Sequence, residues 1–98
     1  MDFGDAIRAL KSGEKVAREG WNGKGMWLIL VPGTPAVNTV EGSPYYKAGF
    51  LAGEILSHID MYTTNSSGRK AMLPGWLASQ TDMLSEDWVI VEQGTNHG

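Results

Sequence analysis

Residues 26–31, MWLILV, are apolar at every position and end at Pro32-Gly33. A strand with one face in water alternates apolar and polar side chains, so an unbroken apolar run is the pattern of a strand covered on both faces. The chain has only 98 residues. A domain of that size buries about two thirds of its unfolded surface, and one helix can cover only one face of its sheet. The other face is therefore expected to meet a second subunit, which makes the chain an obligate oligomer.

The remaining elements are read around that strand. Asp2 is placed to cap a helix, with Asp5 three residues later in the reciprocal capping position. Phe3, Ile7 and Leu10, with Ala6 beside them, form one apolar stripe over about three turns. Lys11 suits the negative end of the dipole and Gly13 the left-handed stop. Residues 15–19, KVARE, alternate as a short strand, and residues 20–25 form the turn that leads into the apolar strand.

Residues 33–53 show no sustained period and read as an irregular segment with a short helix over 45–51. Residues 54–64, EILSHIDMYTT, alternate and return through NSSG into RKAML, a β-hairpin. Ser79 caps a short second helix with Asp82 at its capping-box position. The last strand, DWVIVE, sets Trp88 and Ile90 on one face and Val89 and Val91 on the other. The expected fold is α+β: an antiparallel sheet of about five strands with one main N-terminal helix and a short second helix, in a single domain over 1–98 whose residues 92–98 form a flexible tail.

Several function classes are disfavoured. The net charge of −3 lacks the basic stripe of a nucleic-acid polymer binder. No apolar run approaches 18 residues, and the acidic N-terminus is unlike a signal peptide, so a cytoplasmic protein without membrane association is expected. The absence of cysteine removes thiolate metal sites and cysteine nucleophiles. His58 and Asp60 share a strand face, but two ligands do not make a metal centre, and the reading is a polar pair rather than a catalytic or metal site. No catalytic residue, metal or cofactor is assigned.

Binding chemistry is better represented. In GWNGKGMW, residues 20–27, two tryptophans bracket a glycine-lysine-glycine turn. Gly23 and Gly25 let main-chain N–H groups turn toward an anion, and Lys24 adds a cation at the tip. Asn22 can donate and accept at a base edge or ribose hydroxyl. Trp21 or Trp27 could stack on a purine, although Trp27 opens the apolar strand and suits a core role equally well. A second cluster, PGWLASQTDML, sets Trp76 after a Pro-Gly break and opens a helix at Ser79, Gln80 and Thr81, with Asp82 as its cap. Arg69, beside the hairpin turn, is a candidate phosphate contact or a solvated edge residue.

Together these stretches resemble the Thoeris anti-defence protein two family of small phage proteins. The residues that carry the resemblance are FGDAIRALKSGEKVAREGWNGKGMWL near the start and PGWLASQTDMLSEDWVIV near the end. The resemblance implies a non-catalytic homotetramer that sequesters cyclic nucleotide-type immune signals, chiefly glycocyclic ADP-ribose, with cyclic di- or trinucleotides also bound by some members. The ligands would lie uncleaved in pockets between subunits, in the cytoplasm of the infected bacterial host. The matching positions are Trp21, Asn22, Gly23, Lys24, Gly25, Met26 and Trp27, then Trp76, Ala78, Ser79, Gln80, Thr81 and Asp82. Two rival readings are a small phosphodiesterase-like enzyme using His58, Asp60 or Asp82, and a protein-interaction module whose tryptophans anchor a partner.

Overall fold

A computed structural model describes residues 1–21 and 25–92. Asn22, Gly23, Lys24 and the expected tail beyond Glu92, with His97, lie outside the described residues. Helix α1 spans Phe3–Lys11 and starts as its acids require. The Asp5 N–H donates to Asp2 Oδ1 at 2.8 Å and the Asp2 N–H to Asp5 Oδ2 at 3.2 Å, which occupies two of the helix's orphan donors. It ends at the Ser12 cap, followed by Gly13 at φ +91°, a backbone shape that costs little only for glycine.

Five strands form an antiparallel sheet in the order β6-β5-β2-β1-β7. They are β1 Lys15–Arg18, β2 Trp27–Val31, β5 His58–Thr64, β6 Lys70–Leu73 and β7 Trp88–Val91. The expected hairpin is β5–β6, with Thr64 opposite Lys70. Helix α3, Gln80–Leu84, is the second helix expected at Ser79.

The middle segment differs from expectation. Residues 33–53 are not irregular: they contain β3, Thr34–Asn38, one turn of helix α2, Pro44–Lys47, and the start of β4, Ala52–Ile55. The strand expected over 54–64 is two strands, because β4 pairs with β3 as a separate two-stranded sheet before β5 begins. The short helix begins at Pro44 because Ser43 caps it and proline's fixed φ suits a first turn.

This ribbon is a sheet of its own, in which β3 and β4 pack chiefly on each other rather than on the main sheet. Its root is tight at Gly33, where a side-chain Cβ would run into the Ile55 carbonyl oxygen and sit 2.9 Å from both the Leu56 carbonyl carbon and the Ser57 nitrogen. Gly33→Ala is expected to cost about 1–3 kcal/mol by forcing main chain apart. Because the ribbon is separate, the loss should appear as faster amide exchange in β3 and β4, with α1 and β1 unchanged. Unaltered exchange in the ribbon would remove this close approach as its anchor.

Alternation along the strands separates two faces. Val16, Leu28 and Trp88 lie on the face covered by α1 through Ala6 and Leu10, and these five residues form the buried core. Trp27, Ile29 and Val31 point the other way, with Tyr62, Val89 and Val91. The apolar strand is thus covered fully only at Leu28; its other positions are half-buried.

Candidate functional site

Trp21 follows β1, and its N–H donates to the Arg18 carbonyl at 3.1 Å, which turns the chain back over the α1 face of the sheet. Trp76 reaches the same place from the other side. After β6 the chain turns at Gly75, where φ is +80°, and the Trp76 N–H donates to the Ile59 carbonyl at 2.7 Å. The rings of Trp21 and Trp76 meet edge to face with centroids 6.3 Å apart. Both lean on the buried Trp88 ring, at 5.4 and 6.3 Å, again edge to face. Such geometry matches the positive ring edge of one indole to the negative face of another. One tryptophan from each motif, far apart in the chain, thus enters a single aromatic cluster built on Trp88.

The cluster is bounded by α3. Ser79 and Asp82 form a capping box, with the Asp82 N–H donating to Ser79 Oγ and the Ser79 N–H to Asp82 Oδ2, both at 3.0 Å. Asp82 does more than cap. Its Oδ1 accepts from Arg18 Nη1 at 2.9 Å and from the Trp21 indole Nε1 at 3.4 Å, and its carbonyl accepts from Trp88 Nε1 at 3.0 Å. Burial works against its charged form. The Ser79 amide, the Arg18 guanidinium, the Ser79 hydroxyl and the Trp21 indole outweigh that and hold its pKa below the ordinary carboxylate value. Ser79, Gln80 and Thr81 are exposed at the start of α3, and Ala78 is half-buried.

Trp27 does not join this cluster. As part of β2 it projects to the opposite face, where it stacks on Tyr62 with centroids 4.5 Å apart and planes 11° apart. Lys15 Nζ lies 4.7 Å from its ring centroid. Tyr62 comes from β5 and Lys15 from β1, the two neighbours of β2, so the indole has an aromatic partner on one side and a cation on the other. Met26, beside it, is half-buried, and exposed Gly25 takes φ +65°. Asn22, Gly23 and Lys24 lie outside the described residues. Arg69 stays at the tip of the β5–β6 hairpin, where its main-chain N–H donates to Asn65 Oδ1 at 3.0 Å.

His58 and Asp60 also face away from the tryptophan cluster, on the Trp27 side of the sheet. Their closest approach is 3.6 Å, from Nε2 to Oδ1. The His58 Nδ1–H donates to the Leu56 carbonyl at 2.8 Å, and Asp60 Oδ1 accepts the Gly75 N–H at 3.1 Å. The pair thus ties down the segment entering β5 and the turn leaving β6, which lie together at the end of the hairpin away from its tip. Among the described residues no third His, Asp or Glu completes a metal-binding group with them.

Two residues next to the aromatic cluster carry no sequence signal. Arg18 lies in an alternating strand, and Asp87 simply precedes Trp88. In the fold Arg18 Nε donates to Asp87 Oδ1 at 2.9 Å, and the Gly20 N–H donates to Asp87 Oδ2 at 2.8 Å. Arg18, followed by the Gly20 amide, holds the Asp87 carboxyl below its usual pKa despite partial burial.

The sequence profile described as the Thoeris anti-defense 2-like domain matches residues 1–91. The protein "Thoeris anti-defense 2" of Bacillus phage SP01 is 35% identical over 91 residues, a span covering 93% of this chain and 94% of that relative. Both matches include the two tryptophan motifs and the ribbon between them.

Proposed function

Since the chain belongs to the Thoeris anti-defense 2 family, we propose that it is a phage anti-defence protein that acts inside the infected bacterium by sequestering a cyclic nucleotide immune signal without cleaving it. The signal class is that of glycocyclic ADP-ribose, with cyclic di- or trinucleotides as further ligands. The observation that carries this reading is the meeting of Trp21 and Trp76 at 6.3 Å beside the capped start of α3. Half-buried indoles offer flat surface for a base, worth about 1–3 kcal/mol for each base stacked. Lys24 and the main-chain amides of Gly23 and Gly25 are the groups assigned to the phosphates.

Sequestration sets an affinity requirement. A protein that removes a signal must bind it below its working concentration, and nanomolar capture needs about −12 kcal/mol. Stacking on two rings with several charge-assisted hydrogen bonds reaches that range if the pocket is preformed. Assembly into a homotetramer would preform it, and the half-buried apolar stretch on the sheet face opposite α1 supports assembly. Trp27, Ile29 and Val31 are only half-buried there, and no described helix packs on that side. The degradative-enzyme reading is weaker. Asp82 is committed to Arg18 and the helix cap, and the His58–Asp60 pair lies on the other side of the sheet from Trp21.

The deciding experiment mixes the protein with glycocyclic ADP-ribose, heats the complex and analyses the supernatant. Return of unmodified ligand supports sequestration, whereas a new product establishes the enzyme instead. Light scattering on the same sample should give a tetramer mass; a monomer would overturn the intersubunit pocket. Trp21→Ala is expected to weaken nucleotide binding at least tenfold, about 1.4 kcal/mol, with the assembly mass unchanged. Trp21→Phe, which keeps an aromatic face and drops the indole bond to Asp82, should lose less. Equal affinity for wild type and Trp21→Ala would take Trp21 out of the site.

A further inference from the structure

Neither base stacking nor helix capping requires Arg18, yet its guanidinium joins three segments of the chain. From β1 it reaches Asp82 on α3 through Nη1 and Asp87, just before β7, through Nε, both at 2.9 Å. Its side chain is only 15% exposed, and those of Asp82 and Asp87 are 12% and 31% exposed. The same two carboxylates hold the dipeptide that ends in Trp21. Asp87 Oδ2 accepts the Gly20 N–H at 2.8 Å, and Asp82 Oδ1 accepts the Trp21 indole N–H at 3.4 Å.

We propose that Arg18 is a positioning residue for ligand capture: by pinning Asp82 and Asp87 it fixes Gly20 and the Trp21 ring, and so sets nucleotide affinity without touching the ligand. The proposal rests on the reading of Trp21 as a ligand contact. Two features make the arrangement specific. An arginine fork presents donors in fixed, divergent directions, so one side chain can serve two carboxylates at once; a lysine ammonium, a point charge on a flexible stem, cannot hold both in register. The second feature is Gly20 itself. A Cβ at that position would sit 2.8 Å from Asp87 Oδ2 and 3.3 Å from Arg18 Nη2. The absence of a side chain there is what lets the carboxylate reach the main chain.

A separation between positioning and general support comes from Arg18→Lys, read in three ways: affinity for glycocyclic ADP-ribose by calorimetry, the Trp21 indole N–H resonance in the free protein, and melting temperature. Positioning predicts a folded protein with a displaced Trp21 indole resonance and at least tenfold weaker binding. General support alone predicts a lower melting temperature with the affinity of the folded molecules unchanged, and affinity within twofold of wild type would overturn the proposal. Should Arg18→Lys fail to fold, the comparison passes to Asp87. Asp87→Asn keeps an oxygen for the Gly20 N–H and should bind more tightly than Asp87→Ala; equal affinity of the two overturns the proposal. A wild-type protein that binds no nucleotide overturns the functional reading together with the clamp. Wild-type binding alongside unaltered Arg18→Lys binding sinks the clamp alone.

Discussion

Trp88→Ala is expected to lose about 3–5 kcal/mol of folding stability, the range for deleting a large buried aromatic. A small domain has only about 5–15 kcal/mol in total, so this one change should leave the chain marginal. Trp88 is 1% exposed and is the largest fully buried side chain. Its ring contacts Phe3 on α1 at 5.5 Å, as well as Trp21 and Trp76, so it joins the helix to both aromatic arms of the candidate site. Deletion would leave a cavity between α1, α3 and the two tryptophan arms and strand the Asp82 carbonyl that accepts its indole N–H. Trp88→Phe should fall between, since it refills much of the volume but donates no hydrogen bond. Urea unfolding followed by circular dichroism measures both. A loss under about 1 kcal/mol for the alanine variant would mean that the core does not depend on this ring.

The same residue marks how far sequence reasoning reaches. Alternation in DWVIVE assigns Trp88 to a face, and the pairing of Val16 with Ile90 and Ala17 with Val89 agrees with it. Helix α1 is legible because its signals are local: an acid at the cap, an acid three residues on, and an apolar stripe at helical spacing. The β3–β4 ribbon is illegible for the opposite reason. Pro35 and Gly53 interrupt any period, a bulge between Thr34 and Val37 shifts the register, and the pairing of Thr34 with Ile55 depends on distant residues. The site divides in the same way. Both tryptophan motifs stand out as composition, but adjacency in the chain suggests that Trp21 and Trp27 act together. Strand geometry assigns them to opposite faces and gives Trp21 the partner Trp76 instead. The Arg18–Asp82 bridge, between residues 64 positions apart, leaves no periodic trace.

Asp82→Ala is expected to cost about 2.5–4 kcal/mol at neutral pH and to flatten the acid dependence of stability. The figure follows from hydrogen bonds to a charged group, at about 1.5–3 kcal/mol, together with a capping interaction of about 1 kcal/mol. Alanine removes the carboxylate that accepts the Ser79 amide, the Arg18 guanidinium and the Trp21 indole, while Arg18 keeps only Asp87. The direction of the pH effect follows from the lowered pKa of Asp82. A carboxyl whose folded pKa lies below its unfolded value, near 3.8, contributes stability that is present above that value and lost as pH falls through the folded pKa. Asp87, lowered chiefly by its bond to Arg18, acts in the same direction. Wild type should therefore be nearly level in stability from pH 7 to about pH 5 and weaken steeply below about pH 4. Asp82→Asn keeps the side-chain shape and separates charge from volume: it should start lower and decline less on acidification, with the remaining slope carried by Asp87 and by Asp5, whose pKa is lowered first by its bond to Arg8. Urea midpoints at pH 7 and pH 3 for the three proteins test this. Parallel declines in wild type and Asp82→Asn would show that the Asp82 charge is not what couples α3 to the tryptophan cluster, and the stability of that junction would then rest on Trp88 and its packing alone.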